Sequence, residues 1–267
     1  MNSSLVRIGL VSALVLVAAL PPLGCGGGQE EDPLPGAGEG PPPAGAPNTA
    51  PLAATPTEPP APDLVARQDW LVEHIPAEPA HLNPVISSDA YASRLFVLIF
   101  NRLLARDLTT LEFEPEVARD WEVSDDHLTY TFYLRDDVVF SDGEPLTAHD
   151  VAFTFNRIKD PEVDAPFLRN YYESVERAEV VDDYTIRFHC SKPYYRHLVM
   201  LAGIDILPEH IYGEGDFNTH PNNRSPIGSG PYVFESWTTG QEIVLTRNEK
   251  YWGEKPHILR RVYKVIT

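Results

Sequence analysis

Apolar and polar positions alternate with a period of two from Leu128 to Arg135. Leu128, Tyr130, Phe132 and Leu134 share one parity, and Thr129, Thr131, Tyr133 and Arg135 the other. That spacing predicts a strand with one buried face. Asp136-Asp137 interrupts it, and the short run Val138-Val139-Phe140 closes on Ser141-Asp142-Gly143. A permissive glycine beside an Asp that can bond its own main chain predicts a reversal there. The period then becomes helical: Thr147 stands at an N-cap position, Asp150 follows three residues later as in a capping box, and Ala148, Val151, Phe155 and Ile158 line one face. Asp160-Pro161 ends the helix, because the residue before a proline is pushed out of helical geometry.

The same reading extends in both directions. Trp70 to Ile75 alternates as a first strand, which Pro76 and Pro79 terminate before His81-Leu82-Asn83-Pro84. Ser88 or Asp89 can cap a helix from Tyr91 to Leu104 that is apolar nearly all round and so is expected to be buried between layers. Asp182-Asp183 turns the chain between Ala178–Val181 and the alternating Tyr184, Ile186 and Phe188. A further hairpin is expected at Thr238–Gln241, between Tyr232–Trp237 and Ile243–Arg247, and Arg261–Thr267 reads as one more strand. Strands interleaved with helices, without an internal repeat, predict an α/β architecture.

The N-terminus changes the picture. Arg7 precedes an apolar run from Ile8 to Leu20 that no charged residue interrupts, short for a permanent membrane span but suited to a secretory signal. Leu23-Gly24-Cys25 follows directly and resembles the site where bacterial lipoproteins are cut and acylated, although Pro22 departs from that pattern. Residues 1–25 are therefore expected to be a signal peptide, with Cys25 the lipidated residue. From Gly26 to Asp63 there is no Lys or Arg and almost no large apolar side chain, so residues 26–66 are expected to form a Pro/Gly-rich tether without a core. Gly36-Ala37-Gly38-Glu39-Gly40 lies inside it with no flanking strand or helix pattern and reads as linker, not as a phosphate loop.

Charge and chemistry narrow the function classes. A formal net charge of −18 argues against nucleic acid and against electrostatic adhesion to anionic lipid. The nine histidines include no pair at helical ligand spacing, so neither a metal site nor any other cofactor is expected. Cys190 is expected to be a small buried apolar residue. Gly228-Ser229-Gly230 lacks the spacing of a nucleophile elbow, and the adjacent acids Asp125-Asp126 and Asp136-Asp137 would point to opposite strand faces. A surface hydrolase is disfavoured on those grounds. Trp121, Trp237 and Trp252 are expected in the core and not on a sugar-stacking surface.

Leu134-Arg135-Asp136-Asp137-Val138, Phe140 through Val151, Phe155-Asn156-Arg157, Leu82-Asn83-Pro84, Gly228 through Tyr232, Trp237, Gly240-Gln241 and Asn248 through Gly253 together resemble one family. It is family 5 of the bacterial extracellular solute-binding proteins, the peptide-binding type that serves ABC importers, and the resemblance runs from about Trp70 to the last residue. It implies a periplasmic-binding-protein-like α/β fold of type II, here incomplete. About 67–100 and 208–267 would form part of lobe I, about 101–207 a small inserted domain, and the second lobe would be missing. It implies a monomeric, non-enzymatic protein of the cell envelope that holds a peptide or other small solute between two lobes and hands it to a membrane permease. Ser87, Ser88, Asp89 and Ala90, just after Leu82-Asn83-Pro84, and Phe167, after Asp160-Pro161, are implied to face the cleft. Family members are far longer, so the 267 residues are expected to be the N-terminal portion of a longer protein and to bind no peptide tightly alone. The alternative is a truncated lobe that serves as an interaction module without ligand binding.

Overall fold

The computed structural model describes residues 69–266, so the expected signal peptide, Cys25 and the tether lie outside the described residues. Among the described residues, ten strands and five α-helices follow one another. The strands are β1 (Trp70–Ile75), β2 (Leu104–Arg106), β3 (Phe113–Pro115), β4 (Ala118–Val123), β5 (Thr129–Leu134), β6 (Val175–Asp182), β7 (Thr185–Cys190), β8 (Tyr232–Thr238), β9 (Glu242–Arg247) and β10 (Arg260–Val265). The helices are α1 (Ala90–Ile99), α2 (Ala148–Lys159), α3 (Pro166–Tyr171), α4 (His197–Ala202) and α5 (Glu209–Tyr212). The predicted α/β class holds. One four-stranded sheet has the order β1-β10-β9-β8, with β1 and β10 parallel; the other, β4-β5-β7-β6, is antiparallel throughout. A small β2-β3 hairpin follows α1.

The second sheet follows from its alternation. Tyr130, Phe132 and Leu134 of β5 and Ile186, Phe188 and Cys190 of β7 are buried, and Phe132 meets Phe188 edge to face with ring centroids 6.0 Å apart. Cys190 packs as expected, and burial pushes its thiol up to about 11. The capping box at α2 is present: the Thr147 amide donates to Asp150 Oδ2 at 2.8 Å and the His149 amide to Thr147 Oγ1 at 3.3 Å. Burial of α2 exceeds the one predicted face, taking in Ala152, Phe153 and Thr154. The return segment before α5 covers that other side, where the Leu207 amide donates to Thr154 Oγ1 at 2.9 Å and the Glu209 amide to Asp150 Oδ1 at 2.9 Å.

The helix expected over 91–104 is shorter. Phe100 takes an extended conformation (φ −112°, ψ 150°) and Leu104 already belongs to β2. No glycine ends α1. Instead the Gly230 amide, from 131 residues away, donates to the Ile99 carbonyl at 2.8 Å, satisfying one of the carbonyls that a helix end leaves without a partner. Nor is α1 buried all round, since Val97 is 51% exposed. The three tryptophans expected in the core, Trp121, Trp237 and Trp252, are half-buried and pack against it.

Gly143 does require glycine. Its φ of +109° lies in the left-handed region, in the turn that the Gly143 amide closes onto the Phe140 carbonyl at 2.9 Å. Replacing it with a β-branched residue forces that conformation on a side chain that resists it. Gly143→Val is expected to lower the unfolding free energy by about 1 to 3 kcal/mol, read as a shift in the urea midpoint at constant slope; an unmoved midpoint would contradict the assignment.

Candidate functional site

Two segments 80 residues apart in sequence meet at one pocket. Its lining is Val85, Ile86, Ser87 and Ser88 on one side and Asp164 through Leu168 on the other, around a cavity of about 170 Å³. Three of the five expected ligand-facing residues, Ser87, Ser88 and Phe167, are among them. Asp89 and Ala90 are not. Asp89 caps α1, its Oδ1 accepting from the Tyr91 amide at 2.6 Å and the Ala92 amide at 3.0 Å, and Ala90 is the first helical residue.

Buried amides hold the first side. Asn83 is fully buried; its Nδ2 donates to Asn223 Oδ1 at 2.9 Å and its Oδ1 accepts from the Val85 amide at 3.0 Å. The Leu82 amide donates to the Asn223 carbonyl at 2.6 Å. Ser87 is fixed through its neighbours: its amide donates to the Asn83 carbonyl at 3.1 Å and its Oγ accepts from the Asp89 amide at 3.2 Å. Ser88 is exposed.

The second side is a loop between α2 and α3. The Asp164 amide donates to Asn218 Oδ1 at 2.8 Å, and Asn218 Nδ2 donates to the Glu162 carbonyl at 2.9 Å. From within, the Arg169 guanidinium donates to the carbonyls of Asp160 and Val163. Phe167 is 62% exposed and its ring meets that of Tyr171 at 4.9 Å, edge to face. An exposed aromatic pair on a loop clamped from below is a surface held ready for contact.

Both sides hang on the same short stretch. Asn223, which anchors Asn83, also donates through Nδ2 to the carbonyls of Phe217 at 3.0 Å and Asn218 at 3.1 Å, and Asn218 anchors Asp164. Segment 217–223 therefore sets the spacing across the pocket. The sequence reading missed this, because Phe217-Asn218-Thr219-His220-Pro221-Asn222-Asn223 looks like an ordinary polar loop. It missed Asp164 as well. Beneath the site, the buried Nδ1 of His81 has no hydrogen-bond partner among the described residues. Burial holds this imidazole below its ordinary value, with the charges of Asp89 and Asp164 pulling the other way.

A larger recess of about 500 Å³ lies at the end of the second sheet, lined by Val123, His127, Tyr130, Pro193, Tyr194, Tyr195 and Leu198. None of the expected site residues reaches it.

A family profile described as bacterial extracellular solute-binding proteins, family 5, middle part, matches residues 112–267, more than half of the chain. The chain belongs to that family. Protein XP55 of Streptomyces lividans is 37% identical over 185 residues, which are 69% of this chain and 33% of that protein. Among solved structures, the fold matches NikZ from Campylobacter jejuni in complex with Ni(L-His), with a TM-score of 0.68 at 31% identity, covering 74% of this chain and 39% of that one. It also matches the oligopeptide-binding protein AppA from Bacillus subtilis in complex with a nonapeptide, with a TM-score of 0.68 at 29% identity, covering 74% and 40%. The fold class expected from the sequence is thus that of family 5 periplasmic binding proteins. The chain spans between a third and two fifths of the length of these relatives.

Proposed function

We propose that the pocket between 85–88 and 164–168 is one wall of a solute-binding cleft, in a protein that delivers peptides or a related small solute to an ABC permease. The observation that carries this reading is the convergence of the two segments on one shared anchor, with Ser87, Ser88 and Phe167 presented to the outside. A cavity of about 170 Å³ is smaller than pockets that enclose a drug-sized ligand, typically about 300 to 1,000 Å³. It suits a surface that holds part of a solute while a second lobe closes over the rest. On this reading the sheet β1-β10-β9-β8 with α1 belongs to lobe I, and residues 101–207 form the inserted domain. Family membership favours binding over turnover.

The reading is tested by photo-crosslinking the chain with a pool of tripeptides carrying a diazirine group. Label on fragments covering 85–88 and 164–168 is the expected result. Label confined to the tyrosine-lined recess at 193–198 would move the site elsewhere.

The same proposal places the protein on a membrane through lipid at Cys25. Cys25→Ala is expected to leave the membrane fraction and become soluble after export, measured by fractionation without detergent. A variant that stays with the membrane would remove the anchor.

A further inference from the structure

The geometry points to a cationic group, a protonated amine or a guanidinium, as the part of the solute that this wall receives, at Asp164 and the face of Phe167. The inference rests on reading the pocket as a solute-binding wall and names the chemistry of what binds there.

Among the lining residues Asp164 is the only charged side chain. It is exposed, and among the described residues its carboxylate has neither a hydrogen-bond nor an ion-pair partner, while its backbone is fixed by Asn218. Two neighbouring carboxylates differ in this respect: Asp89 is spent on the α1 cap, and Asp160 carries Arg157 at 3.6 Å; Glu162 is outside the pocket lining. Lys159 and Arg169, the nearest bases along the chain, both donate to backbone carbonyls. His81, the titratable ring beneath, is held towards its neutral form by burial. A negative charge on a rigid backbone without a counterion therefore faces the pocket.

Three residues on, Phe167 supplies a π face. The ring beyond it, Tyr171, already attracts a cation, since Arg196 Cζ lies 5.7 Å from its centroid, so the available member of the pair is Phe167. A carboxylate and an aromatic face side by side attract a cation by charge and by the ring quadrupole, and give an anion nothing. Ser87 and Ser88 on the opposite side offer hydroxyls that can accept from the same ammonium or guanidinium N–H groups.

The test uses the full chain and two capped tripeptides differing in one side chain, acetyl-Ala-Lys-Ala-amide and acetyl-Ala-Gln-Ala-amide. Titrations are followed by amide chemical shifts of Ser87, Ser88, Asp164, Ala165, Phe167 and Leu168. The lysine peptide is expected to bind about fivefold tighter than the glutamine peptide, the size of effect that one exposed charge and one cation–π contact give together. In Asp164→Asn, isosteric and exposed, the preference should fall to about twofold, the share left by the ring. Phe167→Leu should reduce the preference to about twofold. If both peptides shift these amides equally in the unaltered chain, the cation preference is wrong and the wall reading stands. If neither shifts them, the wall reading itself fails and the inference with it.

Discussion

Gly228→Ala is expected to destabilise the protein by about 3 kcal/mol or more, whereas Ser229→Ala next to it should leave stability unchanged or slightly raise it. A Cβ on Gly228 would stand 2.1 Å from the Ile99 carbonyl oxygen and 2.8 Å from its carbon, and one on Gly230 would stand 2.4 Å from the Leu98 carbonyl oxygen. These are backbone atoms at the end of α1, which cannot swing aside as the tip of a side chain can. The close approach is what lets the Gly230 amide reach Ile99 and the Gly228 carbonyl accept from the Ser141 amide at 2.9 Å. Separating the two segments would break both bonds and shift α1, whose cap residue borders the candidate site. Ser229 is fully buried, and its hydroxyl has no partner among the described residues. Replacing it with a methyl therefore removes an unsatisfied polar group. Urea denaturation of the two variants side by side checks the pair; a Gly228→Ala midpoint within error of the unaltered protein would contradict the packing described.

Arg102→Met should cost about 2 to 4 kcal/mol at neutral pH. Arg102 Nε donates to Asp205 Oδ1 at 2.6 Å, and the Asp205 side chain is only 14% exposed. Burial alone would lower the Arg102 guanidinium, but Asp205, foremost among its acidic neighbours and joined by Glu116, leaves it above its ordinary value. Burial raises the Asp205 carboxyl, with Arg102 opposing the rise. The pair ties together the two places where the chain passes between the sheets, after α1 and before α5. The Ile206 amide donates to the Asn101 carbonyl at 3.0 Å, and Asn101 Nδ2 donates to Glu116 Oε1 at 2.7 Å. Without Arg102, Asp205 would be a buried carboxylate with no counter-charge, and its folded-state value would rise further. An acid whose folded value exceeds its unfolded value contributes stability at low pH and loses it as pH rises through the folded value. The deficit of Arg102→Met should therefore be larger at pH 8 than at pH 5, measured by urea midpoints at both. A deficit that shrinks as pH rises would show that Asp205 is not the group left behind.

Much of this was legible wherever the cause is local. The alternation in β5, the capping box at Thr147 and Asp150, the turn at Gly143 and the hairpin at Gly240, with φ +72°, each follow from a few neighbouring side chains. The two halves of the pocket were legible only through the family resemblance, which pointed to Ser87, Ser88 and Phe167 without showing what holds them. What stayed hidden depends on distant partners. The end of α1 is set by Gly230, the partner of the strand β1 is β10 in parallel (Trp70 opposite Arg260), and the pocket spacing is set by Asn218 and Asn223. Asx side chains bonding across 50 to 140 residues leave no periodic trace in a sequence. Asp89 illustrates the converse: its position suggested both a cap and a ligand contact, and its Oδ1 accepts both cap bonds.

Hydrogen exchange of the chain, with and without a millimolar pool of mixed tripeptides, tests most directly whether 85–88 and 164–168 form one solute-facing wall. Slowed exchange is predicted in fragments covering 85–90 and 162–168 together, because both are held by 217–223 and occupancy of the pocket would damp their opening as a unit. Slowing in only one of them, or protection that appears around 193–198 instead, would contradict the account.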